Sequence, residues 1–130
     1  MTRSECKFLR KILPPLYHYI KNQPNTLLTK FYGMYRVKTP NRQPIYFVVM
    51  GSVFYTHYDI HRIYDIKGST HGRHANAKDL KSVTPVLKDL DWIALKEKLE
   101  IGKIKAKMFK EQLKRDTQLL RKLKIMDYSL

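Results

Sequence analysis

The sequence predicts an α+β chain, an antiparallel sheet with packed helices. Two observations carry this. Phe31 to Lys38 and Ile45 to Met50 are rich in aromatic and β-branched residues and flank the turn-forming run Pro40-Asn41-Arg42-Gln43-Pro44, the pattern of a β-hairpin. Before and after them, Ser4 to Leu13 and Lys103 to about Lys124 carry apolar residues at helical spacing. A length of 130 residues allows one core, and a composition that is 43% hydrophobic and 12% aromatic excludes an intrinsically disordered chain.

The first helix places Phe8, Leu9, Ile12 and Leu13 on one stripe, with Ser4 as N-cap and Glu5 in the first turn. Pro14-Pro15 is expected to break or restart it, and Leu16, Tyr17, Tyr19 and Ile20 continue the apolar pattern before a loop at 22–25. In the hairpin, Ile45 to Met50 is almost continuously apolar, which predicts a central strand buried on both faces. A third strand is expected over Tyr58 to Lys67, ended by Gly68-Ser69-Thr70. His71 to Asp91 is polar and aperiodic and reads as a long surface loop. The last helix sets Phe109, Leu113, Leu120 and Leu123 opposite Lys103, Lys107, Lys110, Lys114 and Arg121. The chain ends in an apolar stretch without a cap, which suggests truncation. The single cysteine, Cys6, excludes an internal disulfide framework and points to a reducing compartment. No apolar run reaches the length of a membrane span or forms a signal peptide.

Charge narrows the partners. Lys and Arg number 26 against 11 Asp and Glu, a formal net charge of +15. Such a surplus attracts phosphate, whether in anionic lipid, nucleotide or nucleic acid, unless an acidic half lies elsewhere in a parent protein.

The residues able to carry chemistry cluster near Gly68. Alternation along a strand sends Asp65 and Lys67 to one face, just before a glycine that permits close backbone approach to a phosphate and hydroxyls at Ser69 and Thr70. Arg62, Lys67 and Arg73 bracket the turn; an ordinary surface ion pair is the alternative. Asp127 follows Ile125-Met126, where a loop could present a general base, and a turn-forming Asp is the alternative. Asp116 falls on the apolar face of the last helix and is read as structural, holding a backbone turn or an arginine. His57 and His61 have the spacing of metal ligands on a helix, but a strand is expected there, and no metal site is assigned. His71 and His74 receive no role.

Three blocks then carry a resemblance. They are Asn25-Thr26-Leu27-Leu28-Thr29-Lys30-Phe31-Tyr32-Gly33-Met34-Tyr35, running on to Val48-Val49-Met50-Gly51-Ser52-Val53-Phe54; His61-Arg62-Ile63-Tyr64-Asp65-Ile66-Lys67-Gly68-Ser69-Thr70; and Leu113-Lys114-Arg115-Asp116 with Lys124-Ile125-Met126-Asp127-Tyr128-Ser129-Leu130. With Lys88-Asp89-Leu90-Asp91 they span nearly the whole chain, which resembles the phosphatidylinositol phosphate kinases, the second block matching an Asp-Leu-Lys-Gly-Ser motif with Ile for Leu. The resemblance implies a partial lipid-kinase domain, related to protein kinases, over residues 1–130. It implies transfer of the ATP γ-phosphoryl group to an inositol hydroxyl of a phosphatidylinositol monophosphate. By the same resemblance Asp127 is the catalytic aspartate, Asp65 and Lys67 serve phosphoryl transfer, and Arg73 binds the phosphate already on the substrate. Met50, Ser52 and Phe54 match the hinge around adenine, Ser52 standing where many relatives have Asn, and Glu5 matches a helix acid that pairs with a nucleotide lysine. The glycine-rich loop, its lysine and the ligand for Mg2+ are expected outside residues 1–130, so the chain alone is expected to be inactive. The implied setting is peripheral, on the cytosolic face of a membrane, with an anionic membrane surface as partner and no specific nucleic acid. Preference for the 4- or 5-phosphate isomer is not legible. Two other readings remain, a noncatalytic phosphoinositide-binding remnant and, more remotely, an RNA-binding module suggested by Tyr32, Tyr35, Tyr46 and Phe47 on strands.

Overall fold

A computed structural model describes all 130 residues. They form two compact units, Met1–Tyr55 with Met108–Leu119, and Thr56–Lys107 with Leu120–Leu130.

The first unit opens with α1, Arg3–Asn22. Its cap is Thr2 rather than Ser4: the Thr2 side chain accepts from the Glu5 amide at 3.2 Å and the Glu5 carboxylate accepts from the Thr2 amide at 2.6 Å, a reciprocal box that satisfies two orphan donors. Cys6, Leu9, Ile12 and Leu16 are its buried stripe, while Phe8 is exposed. The helix does not break at Pro14-Pro15. Both prolines lie on the exposed face, as do Arg10 and Lys11, whose carbonyls lose their helical donors, so water can solvate the gap that a buried helix could not leave open.

The hairpin forms as expected from β1, Phe31–Val37, and β2, Ile45–Met50, antiparallel with Met34 opposite Val48 and Tyr35 opposite Phe47. A bulge falls between Phe31 and Gly33, where the Tyr35 ring lies so close over Gly33 that an added Cβ would meet it at 2.5 Å. β2 is not a doubly buried central strand. It pairs only with β1, and only one of its faces is covered: Tyr46 and Val48 are half-buried while Ile45, Phe47 and Val49 are exposed on the opposite face, where Tyr35 and Phe47 stack at 5.5 Å.

In the second unit the expected ten-residue strand shrinks to β3, Ile63–Asp65, and the expected loop contains β4, Val86–Lys88, which pairs parallel to it. Parallel strands need a crossover, supplied here by residues 66–85 with one 3-10 turn at Asp79–Lys81. β4 runs directly into α2, Asp89–Ala94, and the Tyr64 and Trp92 rings meet edge to face at 4.9 Å. Local periodicity cannot reveal a three-residue strand whose partner lies more than twenty positions away.

α3 spans Lys103–Lys122, its middle in the first unit and its ends in the second. The lysines and arginine predicted for its polar face are exposed. Its end is closed by Ile125 N–H to Leu120 O and Lys124 N–H to Arg121 O, both 3.0 Å, with Lys124 at φ 56 in the position glycine usually takes. This cap turns the chain toward Asp127.

Asp116, on α3, is 2% exposed. It binds a backbone turn and no arginine: Oδ2 accepts from the Leu27 amide at 2.8 Å, and Oδ1 from Tyr19 at 2.7 Å and from Thr26 and Gln112 at 2.8 Å.

Candidate functional site

Four residues singled out in the sequence meet in the second unit. β3 ends at Asp65, and the chain then leaves the sheet, so Lys67 lies beyond the strand; its ammonium nevertheless comes within 3.6 Å of Asp65 Oδ1. The same ammonium reaches Asp127 Oδ1 at 3.2 Å and donates to the Asp127 carbonyl at 3.3 Å. Asp127 sits at φ 60, left-handed backbone that Asp tolerates better than most side chains, and the Lys67 bond to its carbonyl supports that conformation. Ile66 and Leu130 exchange backbone hydrogen bonds at 2.8 and 3.1 Å, laying residues 127–130 alongside the exit from β3.

Arg73 arrives from the crossover. Its Nη2 pairs with Asp65 Oδ2 at 3.1 Å and also donates to the Asp65 carbonyl, and its Nε donates to Asp89 Oδ2 at 2.8 Å. The guanidinium is therefore committed to two carboxylates on one edge while Nη1 makes no hydrogen bond within the chain. Asp89, first residue of α2, is 6% exposed and also accepts the Gly68 amide at 2.8 Å and the Lys67 amide at 3.1 Å. Gly68 has φ +72 with open space around its missing side chain, so the turn demands glycine for its backbone and not for room.

The result is a row of alternating charges, Asp89, Arg73, Asp65, Lys67 and Asp127. Burial pushes Asp89 up, but the Arg73 bond and the amides of Gly68 and Lys67 outweigh it and hold the carboxyl at about 2. Burial likewise raises Asp65, and Ser129, Arg73 and Lys67 outweigh it, leaving this carboxyl below its ordinary value. Arg73 is held more firmly protonated, first by Asp89, against burial, and then by Asp65. An ionised Asp65, a lysine and an exposed Asp127 thus share one spot, where a carboxylate open to solvent can accept a proton beside a cation.

Asp89, Asp91 and Ser129 lie in the stretches that carry the resemblance but received no role from the sequence. Asp91 takes the Lys88 and Ala75 amides at 2.9 and 2.8 Å and faces His74 Nδ1 at 3.2 Å. Burial raises its carboxyl, and the two amides and His74 outweigh that and lower it. A signal existed: two carboxylates just ahead of Trp92-Ile93 are the acidic first turn of a helix.

Met50, Ser52 and Phe54 belong to the first unit. Gly51 N–H is tied to Lys30 O at 2.9 Å and Phe54 N–H to Ser52 Oγ at 3.2 Å, a local turn that leaves Met50, Val53 and Phe54 as exposed apolar surface. Glu5 is occupied by the α1 cap; its carboxyl is lowered chiefly by the Thr2 amide. No group of three His, Cys, Asp or Glu side chains is placed to hold a metal ion.

Comparison with known proteins shows the family of the chain. The family model described as Phosphatidylinositol-4-phosphate 5-Kinase matches residues 1–130. The chain is 46% identical over 128 residues to phosphatidylinositol 4-phosphate 5-kinase its3 of Schizosaccharomyces pombe, covering 98% of this chain and 17% of that protein. It is 44% identical over 128 residues to a probable phosphatidylinositol phosphate kinase of Dictyostelium discoideum, covering 98% of this chain and 18% of that protein. It is 45% identical over 113 residues to human phosphatidylinositol 5-phosphate 4-kinase type-2 gamma, covering 87% of this chain and 27% of that protein. The chain thus spans between 17% and 27% of the length of these relatives. Matched along its entire length, the chain belongs to the phosphatidylinositol-4-phosphate 5-kinase family.

Proposed function

We propose that this chain supplies the lipid-facing catalytic groups of a phosphatidylinositol phosphate kinase, which moves the γ-phosphoryl group of ATP onto an inositol-ring hydroxyl of a phosphatidylinositol monophosphate. The observation that carries this is the meeting of Asp65, Lys67, Arg73 and Asp127. Asp127, exposed and free on the side away from Lys67, orients the attacking hydroxyl and accepts its proton. Lys67 bridges Asp127 and Asp65 and offers positive charge where the transferred group gathers negative charge. Arg73, anchored on one edge, offers Nη1 to the phosphate already on the ring. Met50, Ser52 and Phe54 hold adenine by apolar contact and backbone groups.

ATP supplies the phosphoryl group, and Mg2+ is not assigned to any residue of this chain. Asp65 and Asp127 both face a lysine ammonium, which neutralises the charge a metal would need. Phosphoryl transfer by this reading requires groups outside residues 1–130, and the isolated chain is expected to be inactive. The protein acts at the cytosolic face of a membrane, held by its excess of 15 positive charges; no helix is long and apolar enough to cross a membrane.

The test places residues 1–130 in the fission yeast kinase in place of its matching segment and measures phosphorylation of each phosphatidylinositol monophosphate isomer. Activity that falls about 10³-fold with Asp127→Asn, at unchanged nucleotide binding, supports the reading. A folded, nucleotide-binding chimera that phosphorylates none of the isomers refutes it.

A further inference from the structure

We infer that Asp89 is the positioning residue that aims Arg73 at the substrate's phosphate and fixes the Lys67–Gly68 turn, so that recognition of the lipid depends on a carboxylate that never touches it. This rests on the function proposed above. The inference comes from how Asp89 spends its two oxygens. Oδ2 takes Arg73 Nε at 2.8 Å, and Oδ1 takes the Gly68 amide at 2.8 Å and the Lys67 amide at 3.1 Å. One buried carboxylate therefore sets both the backbone that carries Lys67 and the plane of the guanidinium.

Planarity makes the second effect stringent. With Nε held by Asp89 and Nη2 by Asp65, the ring of donors cannot rotate, and Nη1 is the part of the fork left to meet an outside anion. Nor can the carboxylate move, because α2 starts at Asp89 and β4 ends at Lys88, and the Leu90 amide donates to the Arg73 carbonyl at 2.9 Å. Arg73 is thus gripped at side chain and backbone by two successive residues. Neutral Asn at position 89 could accept from the turn or from Nε with its one oxygen, but would present an amide N–H to the other, leaving a donor facing a donor.

The experiment uses the fission yeast chimera, with Asp89→Asn, Asp89→Glu, Arg73→Lys and the Asn/Lys double variant. Asp89→Asn is expected to lower kcat/KM for the lipid about 30-fold, mostly through KM for the lipid, with KM for ATP within about twofold. The double variant should lose clearly less than the sum of the two single losses, because the part of each that acts through the guanidinium is shared while the Lys67–Gly68 turn is Asp89's alone. Asp89→Glu should recover part of the loss. Hydrogen exchange over residues 66–73 in the same chimera should speed up in Asp89→Asn. Unchanged lipid kinetics, fully additive losses, or losses that affect ATP and lipid alike and track a lower Tm would overturn the inference. If the unsubstituted chimera folds without lipid kinase activity, the function proposed above fails. The lipid-recognition role then falls with it, and exchange decides only whether Asp89 fixes the turn: faster exchange at Lys67 and Gly68 upholds that part, unchanged exchange rejects it.

Discussion

Replacing Asp116 tests whether the first unit is organised around a single carboxylate. Its oxygens accept from the Tyr19 and Thr26 hydroxyls, the Gln112 amide and the Leu27 backbone amide, all between 2.7 and 2.8 Å. In Asp116→Ala the two hydroxyls can rotate toward other acceptors, but the Gln112 amide stays buried and the Leu27 N–H stays fixed in a part-buried turn. Each unpaired donor costs about 1–3 kcal/mol, less where it is part-buried, so the expected loss is about 2–5 kcal/mol. Asp116→Asn keeps the Oδ1 bonds and sets an NH2 against the Leu27 N–H, for a loss of about 2 kcal/mol. Urea unfolding followed by near-ultraviolet circular dichroism reads both, at unchanged m. An independent signature comes from Tyr19, whose burial and whose bond to Asp116 push its hydroxyl up to about 12. In Asp116→Ala, one of the nine tyrosines should move its ionisation, followed by ultraviolet absorbance, to lower pH. A loss below about 1 kcal/mol, or an unmoved titration, would show that the donors find other partners and that the network is not the organising feature.

Three further outcomes follow. Pro14→Ala and Pro15→Ala should each stabilise α1 by about 1–3 kcal/mol, since alanine restores a helical N–H; a lower urea midpoint in either would show that the prolines fit a bend the helix requires. Acid should destabilise the second unit, because carboxyls lowered in the folded state stabilise it fully above their unfolded values near 3.8 and lose that contribution as pH falls toward about 2 for Asp89; a stability profile as steep in Asp89→Asn as in the parent would contradict this. Binding to anionic vesicles should weaken steeply as salt rises from low to about 0.5 M, where the screening length is only a few ångströms, and salt-insensitive binding would argue against an electrostatic attachment.

What the sequence made legible was local. The hairpin followed from residue types and a proline-bounded turn, both within twenty positions. Asp65 and Lys67 were paired by alternation, and they do meet, although Lys67 is no longer in the strand. β4 was hidden because a three-residue strand owes its existence to β3, far away in the chain. The burial assigned to Met50 and Phe47 presumed packed layers on both faces of β2, whereas both residues are exposed. α1 ran through its prolines because solvent on that face, which no propensity records, relieves the unmet carbonyls. Asp89 was missed for a similar reason: its partners Lys67, Gly68 and Arg73 lie 16 to 22 positions upstream, beyond any local pattern.

The row of charges has a direction. Side-chain exposure is 7% at Asp89, 14% at Arg73, 29% at Asp65, 24% at Lys67 and 84% at Asp127. At the buried end Arg73 is held between Asp89 of α2 and Asp65 of β3, and at the open end a carboxylate is held from one side only. A solvated ion pair such as Lys67 and Asp127 contributes little to stability, so its geometry has to be inherited from the partners behind it. Substitutions should therefore change character along the row. Near Asp89 they should disturb folding and lipid affinity together, and near Asp127 they should remove the chimera's turnover while the folded chain persists, because the carboxylate proposed to meet the substrate is the one the fold depends on least.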